Sequence, residues 1–248
     1  LRAAIPPEHI AWDGDAQAAL LPGADLRDAP PVRDVPSVPS EFFALAGAVL
    51  CHRDAGRHGL LYRIAWRIAA GERHLPRLAT DADVHRAMQL EKSVRRDTHK
   101  MKAFVRFRAV PGEDNAYIAW FEPEHHILDR VAPFFARRFA GMRWAILTPY
   151  RSVAWDGAAL AFGPGARRDE APADDAQETL WRTYYAHIFN PARLNPRMMR
   201  QEMPQKYWKH LPEAHLLPEL IRTAGERVRD MAERAHEPPR RKIPKRDR

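Results

Sequence analysis

The sequence predicts an α+β fold in which a small antiparallel sheet, ββα followed by a β meander, packs with several helices. Apolar residues recur at helical spacing between residues 40 and 101. The spacing then changes to alternation over residues 102–110 and 117–122, and short apolar runs separated by turn residues follow between 144 and 162. Because 45% of the residues are hydrophobic, the chain can bury the core of one domain.

The helices are predicted from their capping residues and their periodicity. Residues 40–50 and 59–70 form the first two, and a third begins at Asp81 or Asp83 and reaches about residue 101. The third helix has one apolar side, and its opposite side is basic and polar, with Arg86, Gln89, Ser93, Arg96 and Lys100. Further helices are predicted over residues 125–140, over 174–189 and at the end of the domain.

The ends of the chain differ in composition from its middle. Residues 1–39 contain seven prolines and six acidic residues, and we interpret them as an acidic arm or linker. Residues 40–236 form a single α+β domain with a helical N-terminal segment. Residues 237–248 hold six basic residues against two acidic ones and are expected to be a disordered basic tail.

Charge and cysteine content narrow the classes of function. A formal net charge of +8 and an isoelectric point near 9.9 favour polyanions such as DNA or RNA as partners. No apolar run is long enough to span a membrane and no signal peptide is recognisable, so we expect a cytoplasmic protein without a membrane partner. One cysteine, Cys51, excludes an internal disulfide, and neither a metal ion nor a cofactor is expected.

The strongest binding signal lies between residues 86 and 108, where eight Lys and Arg accompany only two acidic residues. A helix and strand with this excess can follow a phosphate backbone. A solvated helix face is the alternative interpretation. The residues predicted to hold phosphate are Arg95, Arg96, Lys100, Lys102, Arg106 and Arg108.

A second candidate site joins a predicted strand to a predicted helix at residues 122–126. Glu122, Glu124, His125 and His126 could bind a metal ion or transfer protons as acid and base. Adjacent histidines on a helix point about 100° apart, which favours capping and packing roles over catalysis.

Aromatic rings and cations alternate between residues 181 and 209, a pattern that single-stranded nucleic acid can use for stacking and phosphate contact. Arg193, Arg197 and Arg200 are predicted to form a second phosphate contact. Tyr207 or Trp208 would stack on a base. Burial of the rings in the core is the competing interpretation.

Three stretches carry a family resemblance: residues 99–108 (HKMKAFVRFR), 119–126 (AWFEPEHH) and 184–213, which include NPARLNPRMM and MPQKYWKHLPE. The chain resembles an uncharacterised bacterial domain family described as a probable DNA-metabolism protein. That family occurs alone or fused ahead of a uracil-DNA glycosylase-like domain, often encoded beside a radical-SAM protein.

The resemblance implies an accessory role beside base-excision chemistry, with single-stranded or damaged DNA and a glycosylase-like or radical-SAM protein as partners. The family's fused domain normally brings cysteines for an iron–sulfur cluster, and this chain has only Cys51. Two alternatives stay open. One is an enzyme acting on DNA bases or ends through its His and Glu residues, with Asn190 and Asn195 orienting a base. The other is a protein-interaction domain.

Overall fold

The structure, a computed structural model, describes residues 1–12, 25, 28–34, 36–170, 195, 199 and 205–234. The predicted helix over residues 174–189 and the basic tail lie outside the described residues. The α-helices are α1 (Ser40–Val49), α2 (Arg57–Ala69), α3 (Ala82–Phe104), α4 (Leu128–Arg138), α5 (Leu217–Arg222) and α6 (Ala224–Arg234). Short 3-10 helices occupy Pro7–His9, Leu75–Arg77, Arg168–Glu170, Gln205–His210 and Pro212–Leu216.

Five strands form one sheet in which each strand pairs with the next one along the chain. They are β1 (Arg108–Ala109), β2 (Ala116–Trp120), β3 (Arg143–Leu147), β4 (Arg151–Trp155) and β5 (Leu160–Pro164). The α+β fold class is confirmed. The expectation of a wholly antiparallel sheet is wrong at one pairing, since β2 and β3 are parallel. Helix α4 lies between them and returns the chain to the edge where β2 began.

Helix α3 begins where the sequence predicts and ends later. The Asp81 side chain accepts the backbone N–H groups of Asp83 and Val84, both at 3.1 Å, which caps the first turn. At the other end the helix continues to Phe104, so Lys102 is helical and the predicted strand over residues 102–110 shrinks to Arg108–Ala109. Complete burial of Met101 anchors this last turn.

Two hydrophobic clusters meet along α3. Its N-terminal half contributes Val84 and Leu90 to a cluster formed with α1 and α2. Its C-terminal half contributes Val94 and Met101 to a second cluster formed with α4 and the sheet. Since one side of α3 belongs to both clusters, the opposite side is left facing solvent along the middle of the domain.

The N-terminal segment packs against α2. The Tyr62 hydroxyl donates to the carbonyl of Ile5 at 2.7 Å, and the Trp12 ring lies 5.7 Å from the Tyr62 ring. The Arg33 guanidinium stacks over Trp66, 5.2 Å from the ring centre. These described parts of residues 1–39 therefore contact α2.

Candidate nucleic-acid interface

The exposed side of α3 carries a row of cations. Lys92 and Arg96 are four residues apart and exposed, and Lys100 continues the row with a half-buried side chain whose ammonium lies 5.9 Å from the Phe104 ring centre. At a rise of about 1.5 Å per residue, these positions lie about 6 Å apart along one side of the helix. Arg96 and Lys100 belong to the face predicted from the sequence, whereas Lys92 was not part of that prediction.

The cations of α3 differ in how they are neutralised. Arg86 pairs with Asp54 at 2.6 Å, and Arg95 lies 3.7 Å from Glu91. Within the part of the chain that the structure describes, neither Lys92 nor Arg96 lies within ion-pair distance of a carboxylate. Their charge is thus available to a polyanion.

The other predicted phosphate-binding residues of this stretch lie elsewhere. Lys102 points to a different side of α3, where its ammonium lies 4.8 Å from the Phe134 ring centre. Arg106 donates from Nη1 to the carbonyl of Ala103 at 2.8 Å, and Arg108 is half-buried in β1. The structure does not gather all six predicted cations on one strip. Arg95, Arg96 and Lys100 stay together on α3.

A polar cluster adjoins this row of cations. Asp97 is only 2% exposed, and its carboxylate accepts the backbone N–H of His125 at 2.9 Å and the Tyr207 hydroxyl at 3.1 Å. The His125 ring is 5% exposed, and its Nε2 lies 2.8 Å from Ser93 Oγ. Ser93 belongs to the predicted basic face, so the structure brings the first and second candidate sites together.

The hydrogen bonds around His125 limit what it can do chemically. Its Nδ1 accepts the backbone N–H of Arg53 in a long contact of 3.5 Å, which favours the tautomer with the proton on Nε2. In that tautomer Nε2 donates to Ser93 Oγ. Because a serine nucleophile needs a base that accepts its proton, this arrangement does not activate Ser93.

Two other histidines flank His125 and lie closer to solvent. The rings of His52 and His125 lie with their centres 4.1 Å apart and their planes tilted by 32°, and His52 Nδ1 accepts the backbone N–H of Asp54 at 2.9 Å. Desolvation lowers the pKa of His52, and neighbouring His125 lowers it further. His126 is exposed, and its pKa is lowered by desolvation and then by the charges of Arg57 and Arg53.

The two glutamates of the second candidate site have different surroundings. Glu122 accepts the indole N–H of Trp120 at 3.1 Å, and Glu124 is exposed at the start of the turn. Among the described residues, no group of three or more His, Cys, Asp or Glu side chains could hold a metal ion.

The third candidate segment is described only in part. Tyr207 is 2% exposed, and its ring stacks 5.3 Å from Phe121 and 5.7 Å from Phe104. Burial raises the pKa of its hydroxyl, and Asp97 adds to the effect. A base cannot reach this ring in the folded chain, so the expected stacking role for Tyr207 is corrected to a core contact. Trp208 is half-buried. Arg193, Arg197 and Arg200 lie outside the described residues, as does Asn190.

Sequence reasoning missed the loop between α1 and α2. It supplies His52 and Arg53, and α2 begins directly after it with Arg57; these residues lie around the predicted His125 and His126. A signal was present, since CHRDAGRH at residues 51–58 combines two histidines and two arginines directly after an apolar helix. Proximity to residues 125–126 could not be read from the sequence, because about 70 residues separate the two loops.

The chain is similar to a known family of domains. A family model described as a domain of unknown function, DUF4130, matches residues 55–213. No curated protein and no solved structure shows a significant match to the chain. Along the residues that the structure describes, no helix is both long enough and apolar enough to cross a membrane.

Proposed function

The chain belongs to the DUF4130 family of domains of unknown function, and from that premise we propose that it is a nucleic-acid-binding accessory protein of DNA metabolism. One observation carries the proposal. The middle of α3 presents Lys92 and Arg96 to solvent at a helical repeat, and no described carboxylate pairs with either cation. Each phosphate neutralised by such a cation releases condensed counterions, which drives binding.

The proposed partners follow from the family resemblance and from the cysteine content. The three stretches quoted above are similar to a bacterial probable DNA-metabolism family that is fused to, or encoded beside, glycosylase-like and radical-SAM proteins. Because one cysteine cannot by itself hold an iron–sulfur cluster, that chemistry would come from the partner. The proposed ligand is single-stranded or damaged DNA.

An electrophoretic shift assay tests the proposal with single-stranded, duplex and uracil-containing oligonucleotides at two salt concentrations. We expect the logarithm of affinity to fall with the logarithm of salt by about 0.7 to 0.9 for each phosphate neutralised. The double variant Lys92→Gln and Arg96→Gln should bind roughly a hundredfold more weakly. Its affinity should also fall less steeply with salt, by the amount expected for the loss of about two phosphate contacts.

The matched control removes the same charge from paired positions. Arg63 lies 2.8 Å from Asp83, and Arg77 contacts Glu41, so the variant Arg63→Gln and Arg77→Gln loses two cations that are already neutralised. Its oligonucleotide affinity should stay within about threefold of the original. Affinity that is indifferent to salt, or equal losses in both double variants, would refute the proposal.

A second candidate function is favoured by one observation. His125 contacts Arg53 and Ser93, and the charges of Arg57 and Arg53 act on His126, where an enzyme acting on DNA ends or bases would need its histidines. Product analysis of the same binding mixtures tests this function. Turnover that is lost in His126→Gln with binding intact would support it, and unchanged oligonucleotides in every mixture would remove it.

A further inference from the structure

The loop before α2 and the loop before α4 lie side by side, next to the row of cations on α3. The loop before α2 supplies the carbonyl of Cys51, which accepts the backbone N–H of His126 at 2.8 Å. The loop before α4 is also held by buried Asp97, which accepts the backbone N–H of His125. The first bond joins the main chains of the two loops, and the second joins the main chain of His125 to the buried Asp97 side chain, so the backbone of both loops has a defined position.

Arg57, where the first loop meets α2, has its guanidinium oriented by two backbone carbonyls, which carry no charge. Arg57 donates from Nε to the carbonyl of Leu50 at 3.2 Å and from Nη1 to the carbonyl of Asp54 at 2.8 Å. Both acceptors are uncharged, so Arg57 keeps its positive charge in a defined orientation. Arg53, three residues beyond Leu50, is exposed.

The nearby carboxylates are engaged by other cations. Asp54 pairs with Arg86 at 2.6 Å, and Asp129 at the start of α4 pairs with Arg151 at 3.4 Å. Among the residues that the structure describes, no carboxylate lies within ion-pair distance of Arg53 or Arg57. The two adjacent loops therefore carry a local excess of positive charge.

Imidazole groups lie inside this positive region. The pKa of His126 is lowered by desolvation and by the charges of Arg57 and Arg53, and Arg57 also acts on His52. A neutral imidazole still carries one N–H donor. The combination of the oriented Arg57 guanidinium, the exposed Arg53 and neutral imidazole N–H donors suits an anion that brings more than one negative charge.

We propose that Arg53, Arg57 and His126 form a binding site for a phosphate monoester, and that in the working protein this group is the terminal phosphate of a nucleic-acid strand lying along α3. A monoester carries about −1.5 to −2 charges at pH 7 and three strong acceptor oxygens, whereas each internal phosphate of the strand carries one charge. Guanidinium groups bind such oxygens in pairs. The assignment of the strand end rests on the proposed nucleic-acid function.

The test compares one oligonucleotide in three forms, with a 5′-phosphate, with a 3′-phosphate and with neither, by fluorescence anisotropy on the full chain. We expect one phosphorylated form to bind at least fivefold more tightly than the unphosphorylated form. Arg53→Gln and Arg57→Gln should each remove that preference. The control Arg77→Gln should retain it. Arg53 is exposed, so its replacement separates loss of the site from any loss of folding caused by replacing Arg57.

A titration with inorganic phosphate tests the site in the absence of nucleic acid. Its addition should shift the His126 imidazole resonance of the original protein, and the shift should vanish in Arg53→Gln. Salt-sensitive binding with equal affinity for all three oligonucleotides would overturn the strand-end site and leave the proposed function standing. If no oligonucleotide binds, the phosphate titration decides: a His126 shift supports a site for free phosphate monoesters, and its absence overturns the site.

Discussion

Helices α2 and α3 both carry outward-facing cations, but two of those on α2 are neutralised, whereas two of those on α3 are paired with no carboxylate that the structure describes. Arg63 lies 2.8 Å from Asp83, and Arg67 lies 2.8 Å from both Glu72 and Asp81. On α3, Lys92 and Arg96 have no such neighbours among the described residues. A basic composition therefore does not identify a binding surface. The positions of the carboxylates do, because they decide which cations are already neutralised.

A cation that is already paired with a carboxylate gains little free energy when it binds a phosphate. It must give up its carboxylate before it binds the new anion, and one exposed ion pair is then exchanged for another. An unpaired cation on an exposed helix face neutralises a phosphate without that loss. The net charge of +8 is therefore less informative than the distribution of ion pairs along two neighbouring helices.

The largest expected effect comes from reversing the charge of the α3 row. Lys92→Glu with Arg96→Glu should weaken oligonucleotide binding more than a hundredfold, because two attractive contacts become repulsive. Fluorescence anisotropy at low salt measures the change. The control Arg137→Glu with Arg138→Glu makes the same change in net charge on exposed positions of α4. Equal losses of affinity in both variants would mean that binding depends only on net charge and not on which cations are unpaired.

The next effect concerns the buried side of α3. Asp97→Ala leaves the backbone N–H of His125 and the hydroxyl of Tyr207 without their shared acceptor. We expect the free energy of unfolding to fall by about 3 kcal/mol, measured by urea denaturation. Exposed Asp169→Ala should change it by under about 0.5 kcal/mol. A loss below about 1 kcal/mol for Asp97→Ala would show that this carboxylate does not hold the C-terminal segment in place.

A smaller effect is expected on α2. Arg67→Gln removes the guanidinium that pairs with Glu72 and with the α3-capping residue Asp81. Because the Arg67 side chain is about one third exposed, the unfolding free energy should fall by only about 1 kcal/mol. Oligonucleotide affinity should not change, since this charge is already neutralised. A clear loss of affinity would place α2 within the binding surface.

The smallest effect is a dependence of stability on pH. Folding lowers the pKa of His52 and His126 below the ordinary value of about 6.5, so the unfolded chain binds more protons near that pH. Their contribution to stability is complete above pH 6.5 and declines as the pH falls through it. Urea denaturation between pH 7.5 and 5 should show this decline. His52→Gln should flatten it, whereas exposed His74→Gln should not.

Local signals explain the parts of the fold that the sequence predicted. The α+β class, the Asp81 cap and the apolar side of α3 each depend on residues close together in the chain. The parallel pairing of β2 with β3 was not predicted, because it depends on how α4 crosses the sheet. The end of α3 was misplaced since alternation over residues 102–110 also fits a final helical turn.

The candidate site was predicted less completely than the fold. The basic face of α3 follows from helical spacing, and the sequence locates His125 and His126. Their neighbours His52 and Arg57 belong to a loop distant in sequence, so only the packing of α1 and α4 against α3 brings them together. Tyr207 was expected to be a surface ring, because its exposure depends on Phe104 and Phe121.

The hydrogen bond from Tyr207 to Asp97 joins residues 110 positions apart. Every pairing within the sheet joins consecutive strands, so the sheet and α3 can form while the chain is still being synthesised. The segment around Tyr207 emerges later and docks onto a largely formed domain. In refolding experiments we expect protection of the sheet to precede the burial of Tyr207, which makes this docking the completing step of folding.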